Sequence, residues 1–413
     1  MRDGTPGAAC CGETSLIHEA QPRGASWLFV LPWDLHHVGG VNQVVMNLAH
    51  EMGRGGRLTP LVGINKWRQR TVAGRAHEGI PVIRFWVPSP WTERAPWRNL
   101  ARYVLTLPFT LLRLRQMLRR HGVRVVNVHY PGSSAVTWVL LRRLGLFDGR
   151  VVLSLHGLDV RSQRDARGLP RLLWRYALNR ADQVVACSDG LREETLALFN
   201  LDGHNMSTIH NGIDESTLLA RIGETRSAPL PTSRRYLINI GTYEHKKGHD
   251  TLLEAFADVA RRHADVDLVV IGRDGETYPG LVRRSEQPDL AGRVHLFRDL
   301  HHSLTLHILA HAEFFVLPSR DEGFAVVLLE AAAFGKPIIA TDVCGVAELI
   351  EDRATGRIVQ PDEPAALAEA MHEYLEDVAG SRGMGARLRA AVHALHPWQA
   401  KCAAYLALAH DGG

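Results

Sequence analysis

Short apolar segments alternate with amphipathic helices along most of this 413-residue chain, and this alternation restricts its fold more than any other feature. Several of the apolar segments are hydrophobic on both faces, among them VVLSL at 151–155, LVVIG at 268–272 and FFVLP at 314–318. That pattern is typical of parallel strands covered by helices on both sides. The sequence therefore predicts an α/β fold with two Rossmann-like, doubly wound parallel-sheet domains.

The predicted strands form two series, one in each half of the chain. The first series is Trp27–Leu31, Leu58–Ile64, Pro81–Trp86, Val123–His129, Arg150–Leu155, Gln183–Cys187 and Ser207–Ile209. The second series is Tyr236–Ile240, Asp267–Ile271, Val294–Phe297, Phe314–Leu317, Pro337–Ala340 and Arg357–Val359. Helices are predicted between them, among others at Gly40–Met52, Lys247–Arg262, Phe324–Phe334 and Glu363–Val378.

A polar, Ser- and Pro-rich stretch at 214–235 marks the predicted domain boundary. We expect an N-terminal domain at 27–222 and a C-terminal domain at 232–395. An amphipathic helix at 397–411 follows Pro397 with no strand after it, so we expect it to pack back on the first domain. Residues 1–26 lack an apolar core of signal-peptide length and are predicted to be a disordered leader.

Charge and cysteine content limit the partners and the compartment. The net charge is +4, but residues 1–200 carry a balance of +13 and residues 201–413 a balance of −9, which predicts an anionic partner for the first half. Five scattered cysteines without CxxC spacing favour a reducing cytoplasm. DNA-binding signatures are missing, and no apolar run reaches the ~20 residues of a membrane-spanning helix.

The most informative segment of the second half is EFFVLPSRDEGFAVVLLEAAAFGKPIIATD, at 313–342. A buried strand leads through a polar loop into a helix, so the amides of Gly323, Phe324 and Ala325 are expected at a helix N-terminus, which favours an anion or a hydroxyl cluster. Glu322 precedes them. Glu330 is the one ionisable residue of an otherwise apolar helix, and it needs hydrogen-bond donors from ligand hydroxyls, an internal Arg or the backbone.

Two further strand ends of the second half carry candidate ligand-binding residues. Gly241 and Thr242 follow one strand and lead to Lys246 and Lys247, two of only five lysines in the chain. A lysine at a strand's carboxyl end suits a phosphate, although most such pairs are solvated loops. Gly272 follows the next strand, where a simple turn explains the sequence equally well.

In the first half, Gly39 and Gly40 separate a strand from a helix, which permits close approach of a ligand to the backbone. The spacing matches neither the dinucleotide fingerprint nor the P-loop. His156 ends a buried strand, where it either contacts substrate or is a hydrogen-bonded core histidine. Ser188 and Asn211 have structural interpretations, as a helix cap and a tight turn.

In order, these segments resemble glycosyltransferase family 4, from Trp27 to the last helix. The most specific match is Glu-x7-Glu at Glu322 and Glu330; GGVNQVVMNLA, HGLD, ACSDGLRE, IHNGID, Lys247-Gly248 and GVAELIEDRATGRIVQP also follow the family's order. The resemblance implies the GT-B fold, in which the two domains face each other across a cleft. It also implies a retaining hexosyl- or related glycosyltransferase that uses a nucleotide-diphosphate sugar as substrate and needs no metal or other cofactor.

The resemblance also implies roles for individual residues. Glu330 would bind the ribose hydroxyls, and Glu322 with the amides of Gly323, Phe324 and Ala325 would hold the donor sugar and distal phosphate. Lys247 would neutralise the diphosphate, helped by Gly40, and His156 would contact the sugar.

The family often places Arg where this chain has Thr242, so Lys246 or another Arg is expected to substitute. Arg298 stands at a position where members of the family commonly have a glycine, near the loop that binds the nucleotide base. Asp265-x-Asp267 resembles the metal signature of a different glycosyltransferase fold but is interpreted as a solvated turn.

Residues 94–124 contain eight arginines and no acidic residue, with Trp86, Trp91, Trp97 and Tyr103 close by. This composition favours a helix lying on the inner face of the plasma membrane, against anionic lipid, beside a saccharide or lipid-linked acceptor; a helix packed on the sheet with solvated arginines is the alternative. Cell-envelope or extracellular polysaccharide biosynthesis is the expected process. The rival functions are a nucleotide-sugar epimerase of the same fold and a catalytically silent sugar-nucleotide-binding protein.

Overall fold

Two parallel sheets, one from each half of the chain, organise the computed structural model of the protein. The structure describes residues 25–35, 39–66, 72–73, 76–92, 94–223, 225, 229 and 231–409. Most of the predicted leader therefore lies outside the described residues. Along these residues, no helix is both long enough and apolar enough to cross a membrane.

The first sheet has eight strands within the described residues, in the order β3-β4-β2-β1-β5-β6-β7-β8. All neighbours are parallel except β3 and β4. The strands are β1 Ser26–Leu31, β2 Thr59–Asn65, β3 Val72–Ala73, β4 Val82–Phe85, β5 Val123–His129, β6 Arg150–Leu155, β7 Gln183–Ala186 and β8 Met206–Thr208. All seven predicted strands of this half are confirmed, and β3 was not predicted because two residues give no periodicity.

The second sheet has six parallel strands in the described part of the chain, in the order β11-β10-β9-β12-β13-β14. They are β9 Arg235–Ile240, β10 Val266–Gly272, β11 Val294–Arg298, β12 Phe315–Leu317, β13 Ile338–Thr341 and β14 Arg357–Val359. All six were predicted, because strands buried on both faces give continuous apolar runs. The doubly wound α/β architecture is thereby confirmed.

Helices cover both faces of each sheet. Those of the first half are α1 Gly40–Gly55, α2 Pro96–Arg120, α3 Ala135–Arg143, α4 Leu158–Arg161, α5 Leu169–Arg180, α6 Asp189–Phe199 and α7 Glu215–Gly223. Those of the second half are α8 His249–Arg262, α9 Tyr278–Ser285, α10 His302–His311, α11 Val326–Ala333, α12 Pro364–Glu376, α13 Val378–Leu395 and α14 Trp398–Ala407. Ser188 caps α6 as predicted, since its hydroxyl accepts from the Leu191 amide.

Two predicted helix starts are wrong by two residues. The helix predicted from Lys247 begins at His249, because Gly248 adopts φ 65° and separates a short 3₁₀ turn, His245–Lys247, from α8. The helix predicted from Phe324 begins at Val326. The Phe324 carbonyl accepts from the Asn211 side chain, and this contact with the first half holds the backbone outside the helix.

The last helix, α14, packs back onto the first sheet. Trp398, Cys402 and Tyr405 share a buried apolar cluster with β1 and α1. The Tyr405 ring lies edge-on to Trp27, with the ring centroids 6.4 Å apart. The chain therefore crosses to the second domain and returns, so the first domain's core is completed by residues from the far end of the sequence.

We expect Trp398→Ala to lower the free energy of unfolding by about 3–5 kcal/mol, because it removes a fully buried ring from this cluster. Urea unfolding followed by circular dichroism measures the loss. Leu395→Ala, which truncates an exposed side chain three residues earlier, is the control and should change stability by less than about 0.5 kcal/mol. If Trp398→Ala lowers the free energy of unfolding no more than this control does, α14 does not contribute to the first domain's core.

Candidate functional site

The site is built where the loop after β12, residues 318–325, meets the first domain. Gly323 lies against the end of β6, and a Cβ on Gly323 would collide with the His156 carbonyl oxygen. Any larger residue would therefore push the two domains apart. The carboxyl ends of the two sheets face each other at this contact, which is where open α/β sheets bind ligands.

Arg161 ties the loop to the first domain. Its Nη1 pairs with the Asp321 carboxylate and donates to the Glu322 carbonyl oxygen at 2.9 Å, while its Nε donates to Glu194 at 2.9 Å. The Arg161 side chain is only 8% exposed. Because a buried guanidinium with two acidic partners has little freedom, Arg161 fixes the backbone next to Glu322.

Glu322 and Lys247 form an ion pair inside this site. The Lys247 Nζ lies 2.7 Å from Glu322 Oε1, and the Ser319 hydroxyl donates to the same oxygen at 2.7 Å. Glu322 is 8% exposed, so its charge is matched by direct partners rather than by solvent. The two residues reach each other from β12's loop and from the 3₁₀ turn before α8.

Glu330 has partners from two other helices, α10 and α1. The His302 Nε2 lies 2.9 Å and the Gln43 Nε2 3.3 Å from Glu330 Oε1. Arg221 Nη1 lies 2.8 Å from the other ring nitrogen of His302. Since a guanidinium can only donate, that nitrogen accepts, and Nε2 carries the proton given to Glu330. The predicted need for donors is thus met by an imidazole and an amide.

His156 is a neutral, half-buried histidine. Its Nε2 lies 3.0 Å from the Nδ1 of His129, and the two rings stack with centroids 5.3 Å apart. Burial lowers the pKa of His156 to about 4, and that of His129 is lowered well below its usual value, first by burial and then by His156. At neutral pH His156 can therefore offer a substrate hydrogen bonds but no charge.

Asp159 holds the backbone beside His156. Its carboxylate accepts from the amides of His156, Gly157 and Val160 at 2.8–3.2 Å. Burial raises the pKa of Asp159 to about 7, against the opposing effect of these amides. The carboxylate thus shapes the turn that aims His156 at the loop of the second domain.

The predicted glycines lie at the facing strand and helix ends. Gly39 caps α1 in an extended conformation, and a Cβ on Gly40 would lie 3.6 Å from Val326 Cγ2, so the starts of α1 and α11 face each other. A Cβ on Gly241 would lie 3.5 Å from the Lys247 side chain. Gly272 packs so closely on the Gly241 carbonyl that a Cβ would collide with it.

The remaining predicted residues divide between the site and its surroundings. Phe324 packs between His210 and His396, at 5.0 and 5.7 Å between ring centroids, so its side chain is structural. Ala325 is the cap of α11, and Thr242 accepts a hydrogen bond from the Glu244 amide through its carbonyl oxygen. Lys246 pairs with Glu244 at 2.7 Å, away from Lys247's partner.

Sequence reasoning missed His302, Gln43, Arg221, Arg161 and Asp159. The doubled histidine at 301–302 and the Asp of HGLD were visible signals, but their partners lie far away in the chain. The interpretation of Asp267 as solvated is wrong. It is the second residue of β10, where it is buried and bonded to Arg234, Arg293, His295 and Thr232.

Two family models match the chain, one in each half. The model described as "Glycosyltransferase Family 4" matches residues 38–217, and the model described as "Glycosyl transferases group 1" matches residues 223–389. Together they span both sheets and the site between them. The chain belongs to glycosyltransferase family 4. Its activity is therefore that of a glycosyltransferase.

Curated relatives and solved structures agree with this assignment. The alpha-D-kanosaminyltransferase of Streptomyces kanamyceticus is 28% identical over 65% of this chain and 72% of its own length. The N-acetyl-alpha-D-glucosaminyl L-malate synthase of Bacillus anthracis is 27% identical over 68% and 73%. The fold matches a sucrose-phosphate synthase from Thermosynechococcus elongatus with TM-score 0.74 and 22% identity, over 94% of this chain and 98% of that one. These structural matches confirm the GT-B fold.

Buried histidines should make the protein acid-sensitive. Burial lowers the pKa of His156, His249 and His396 to about 4, whereas unfolded histidines titrate near 6.5. The unfolded chain therefore binds more protons between these values, and the free energy of unfolding falls as pH drops from about 6.5 to 4. Asp159, whose raised pKa favours the folded state as pH falls, offsets one of the three.

The expected loss between pH 7.5 and 5 is a few kcal/mol, measured by urea unfolding at the two pH values. His249→Leu should reduce that loss by about 2 kcal/mol, since both ring nitrogens of His249 are buried without a partner among the described residues. His393→Leu replaces an exposed histidine and should leave the pH dependence unchanged. A His249→Leu chain with wild-type acid sensitivity would refute this assignment.

Proposed function

We propose that the chain is a retaining glycosyltransferase that moves a sugar from a nucleotide-diphosphate donor to a saccharide or lipid-linked acceptor. We assign it to the assembly of cell-envelope or extracellular polysaccharide. The observation that carries this proposal is the convergence of Glu322, Lys247, Glu330 and His156 at the contact between the two domains. The Anabaena HepE protein, crystallised with UDP and glucose, has the same fold at 17% identity and TM-score 0.72, over 92% of this chain and 99% of its own.

In this proposal the donor exchanges protein partners for its own groups. The diphosphate takes over the Lys247 ammonium, which frees Glu322 to accept hydrogen bonds from sugar hydroxyls. The ribose hydroxyls donate to Glu330 in place of Gln43 and His302. Each step replaces one matched charge contact with another, so little buried charge is left unpaired during binding.

Catalysis then depends on positioning and charge stabilisation. Neutral His156 holds the sugar without repelling the positive charge that develops at its anomeric carbon. The departing phosphate takes the acceptor proton on the same face, so the sugar keeps its configuration and no protein nucleophile is required. Asp159 is unsuited to nucleophilic attack because its oxygens are occupied by backbone amides. No metal is part of this mechanism.

Arg273 is our candidate for the second diphosphate cation in place of an Arg at Thr242. It follows Gly272 at the end of β10, and its carbonyl oxygen accepts from the amide of Tyr243, next to Thr242. Among the described residues its guanidinium makes no ion pair or hydrogen bond. Lys246, by contrast, is already paired with Glu244.

A cavity of about 240 Å³ beside Asp159 is the proposed acceptor site. It lies at the carboxyl ends of β1, β2 and β5 and includes Trp33, Tyr130 and Trp174 together with Asp159. The Trp33 and Tyr130 rings meet edge-on at 4.8 Å. Aromatic faces with a few polar groups suit a sugar ring, whose C–H surface packs on them while its hydroxyls reach polar atoms.

The decisive experiment incubates the full chain with a panel of nucleotide sugars, with and without cell-envelope lipid extract, and follows nucleotide release and the glycosylated product. We expect release from one donor, stimulated by the extract, with the product's anomeric configuration retained and activity unchanged by EDTA. Interconversion of the donor's sugar without transfer would indicate an epimerase. Binding of a donor without any turnover would indicate a silent binding protein.

Replacing the two glutamates should separate binding from turnover. Glu330→Ala should weaken nucleotide binding by roughly 10- to 100-fold, because it removes charged hydrogen bonds of about 1.5–3 kcal/mol. Glu322→Ala should chiefly lower kcat. Isothermal titration and initial rates measure the two effects, and Glu369→Ala, on the exposed face of α12, is the control. Wild-type behaviour of both site variants would place the donor elsewhere.

We also propose that α2 contacts anionic membrane. Its solvent face carries the large apolar side chains of Trp97, Leu105, Phe109 and Leu112, which are eight, four and three residues apart. Leu105 and Phe109 are 75% and 78% exposed. Tyr103 and Leu111 on the opposite face are buried in the first domain. Arginines flank the exposed stripe, and such a face can insert between lipids while its arginines reach phosphates.

Phe109→Ser should lower partitioning into vesicles containing phosphatidylglycerol about 10-fold, because burying a Phe side chain contributes about 1.5–3 kcal/mol. Co-sedimentation at low salt measures it. Leu172→Ser, at an exposed position of α5, serves as the control and should partition like the wild type. Equal recovery of the wild type with neutral and anionic vesicles would rule out this membrane contact.

A further inference from the structure

A second cavity, of about 300 Å³, lies at the opposite end of the first sheet from the proposed active site. It is lined by the start of β1 and β5, the last turns of α2, and the turn before β6 at 146–149. Since β1, β5 and β6 are parallel, their amino ends form this cavity, and the carboxyl ends of β5 and β6 carry His129 and His156. The cavity is therefore separate from the donor and acceptor sites.

Three arginines line this cavity. Arg115 and Arg119 lie one turn apart on α2, and Arg124 extends from β5. Throughout the described ranges, none of their guanidinium groups makes a hydrogen bond or an ion pair with another residue. The Arg115 Nε is buried without a partner. A buried donor with no acceptor is destabilising, so a ligand that supplies the acceptor would be bound favourably.

The one acidic side chain at the cavity, Asp148, does not satisfy these arginines. It is exposed and makes no ion pair with them or with any other described residue. The surrounding sequence offers little other compensation, because residues 51–150 hold 18 basic and 4 acidic residues. The cavity is therefore a concave site with excess positive charge.

We propose that this cavity binds a phosphate-type oxyanion. Guanidinium groups are planar and donate two parallel hydrogen bonds to such an anion, and three of them from two elements would surround it. The proposal concerns a site outside the sugar-transfer machinery and does not rest on the proposed function. Phosphate has two sources here, a free ion and a phospholipid headgroup. Arg119 lies seven residues after Leu112, on the side of α2 that carries the exposed apolar stripe, so either source can reach it.

The test uses the full chain and a double variant, Arg115→Gln/Arg124→Gln. Thermal unfolding is compared in inorganic phosphate and in sodium chloride of equal ionic strength. We expect phosphate to raise the midpoint of the wild type by several degrees and that of the double variant by much less. Phosphate that binds in the donor cleft would shift both chains equally and so cancels in the comparison. Arg167→Gln/Arg180→Gln removes two exposed arginines from elsewhere and should respond like the wild type.

Arg119→Gln, an exposed rim position, keeps the test valid if the double variant does not fold, and it should reduce the phosphate response at least two-fold. Phosphatidylglycerol vesicles then identify the source. A headgroup ligand predicts at least 10-fold weaker partitioning of the double variant and displacement of the wild type by inorganic phosphate. A free-ion ligand predicts equal partitioning of both chains. The proposal is overturned if all variants show the wild-type response to both phosphate and vesicles, or if the control loses the response equally.

Discussion

The contact between the loop at 318–325 and the end of β6 is the constraint on which the site depends. A glycine at 323 allows the loop backbone to rest on the His156 carbonyl, and Arg161 holds the neighbouring carboxylate of Asp321. Glu322 is fixed between these two anchors, so its position follows from the domain contact rather than from its own strand. A change in the angle between the sheets would therefore move Glu322 relative to His156, and the sugar transfer that we propose depends on that distance.

The interior of the first domain supports the same contact from behind. His156 stacks on His129, and His129 stacks in turn on Tyr405 of α14, with ring centroids 6.4 Å apart. The Tyr405 hydroxyl lies 3.3 Å from the Ser154 hydroxyl on β6. Because α14 follows the whole second domain in the chain, its residues pack beneath the strand end that faces the loop at 318–325. The position of the His156 ring therefore depends on a helix that the chain forms only after the second domain.

The architecture was predictable because strand and helix signals are local. Thirteen apolar runs identified thirteen strands, and the apolar surroundings of Glu330 identified a buried carboxylate that needed donors. The donors themselves could not be predicted, since His302 and Gln43 come from helices 28 and 287 residues away from it in sequence. Helix starts failed for the same reason: Phe324 is held outside α11 by Asn211, more than a hundred residues earlier. Long-range contacts override local helix propensity at such positions.

In the second half, whose net charge is negative, the lysine of the site already has a carboxylate partner. In the acidic second half, Lys247 is paired with Glu322, so in the proposed function a diphosphate competes with a carboxylate for it. Binding energy therefore comes from the difference between two charge pairs, and a donor that supplies both phosphate and sugar hydroxyls satisfies both partners at once. A free nucleotide satisfies only Lys247 and leaves Glu322 buried without its cation. If the donor binds as we propose, the pair favours an intact nucleotide sugar over its nucleotide product and so promotes product release after transfer.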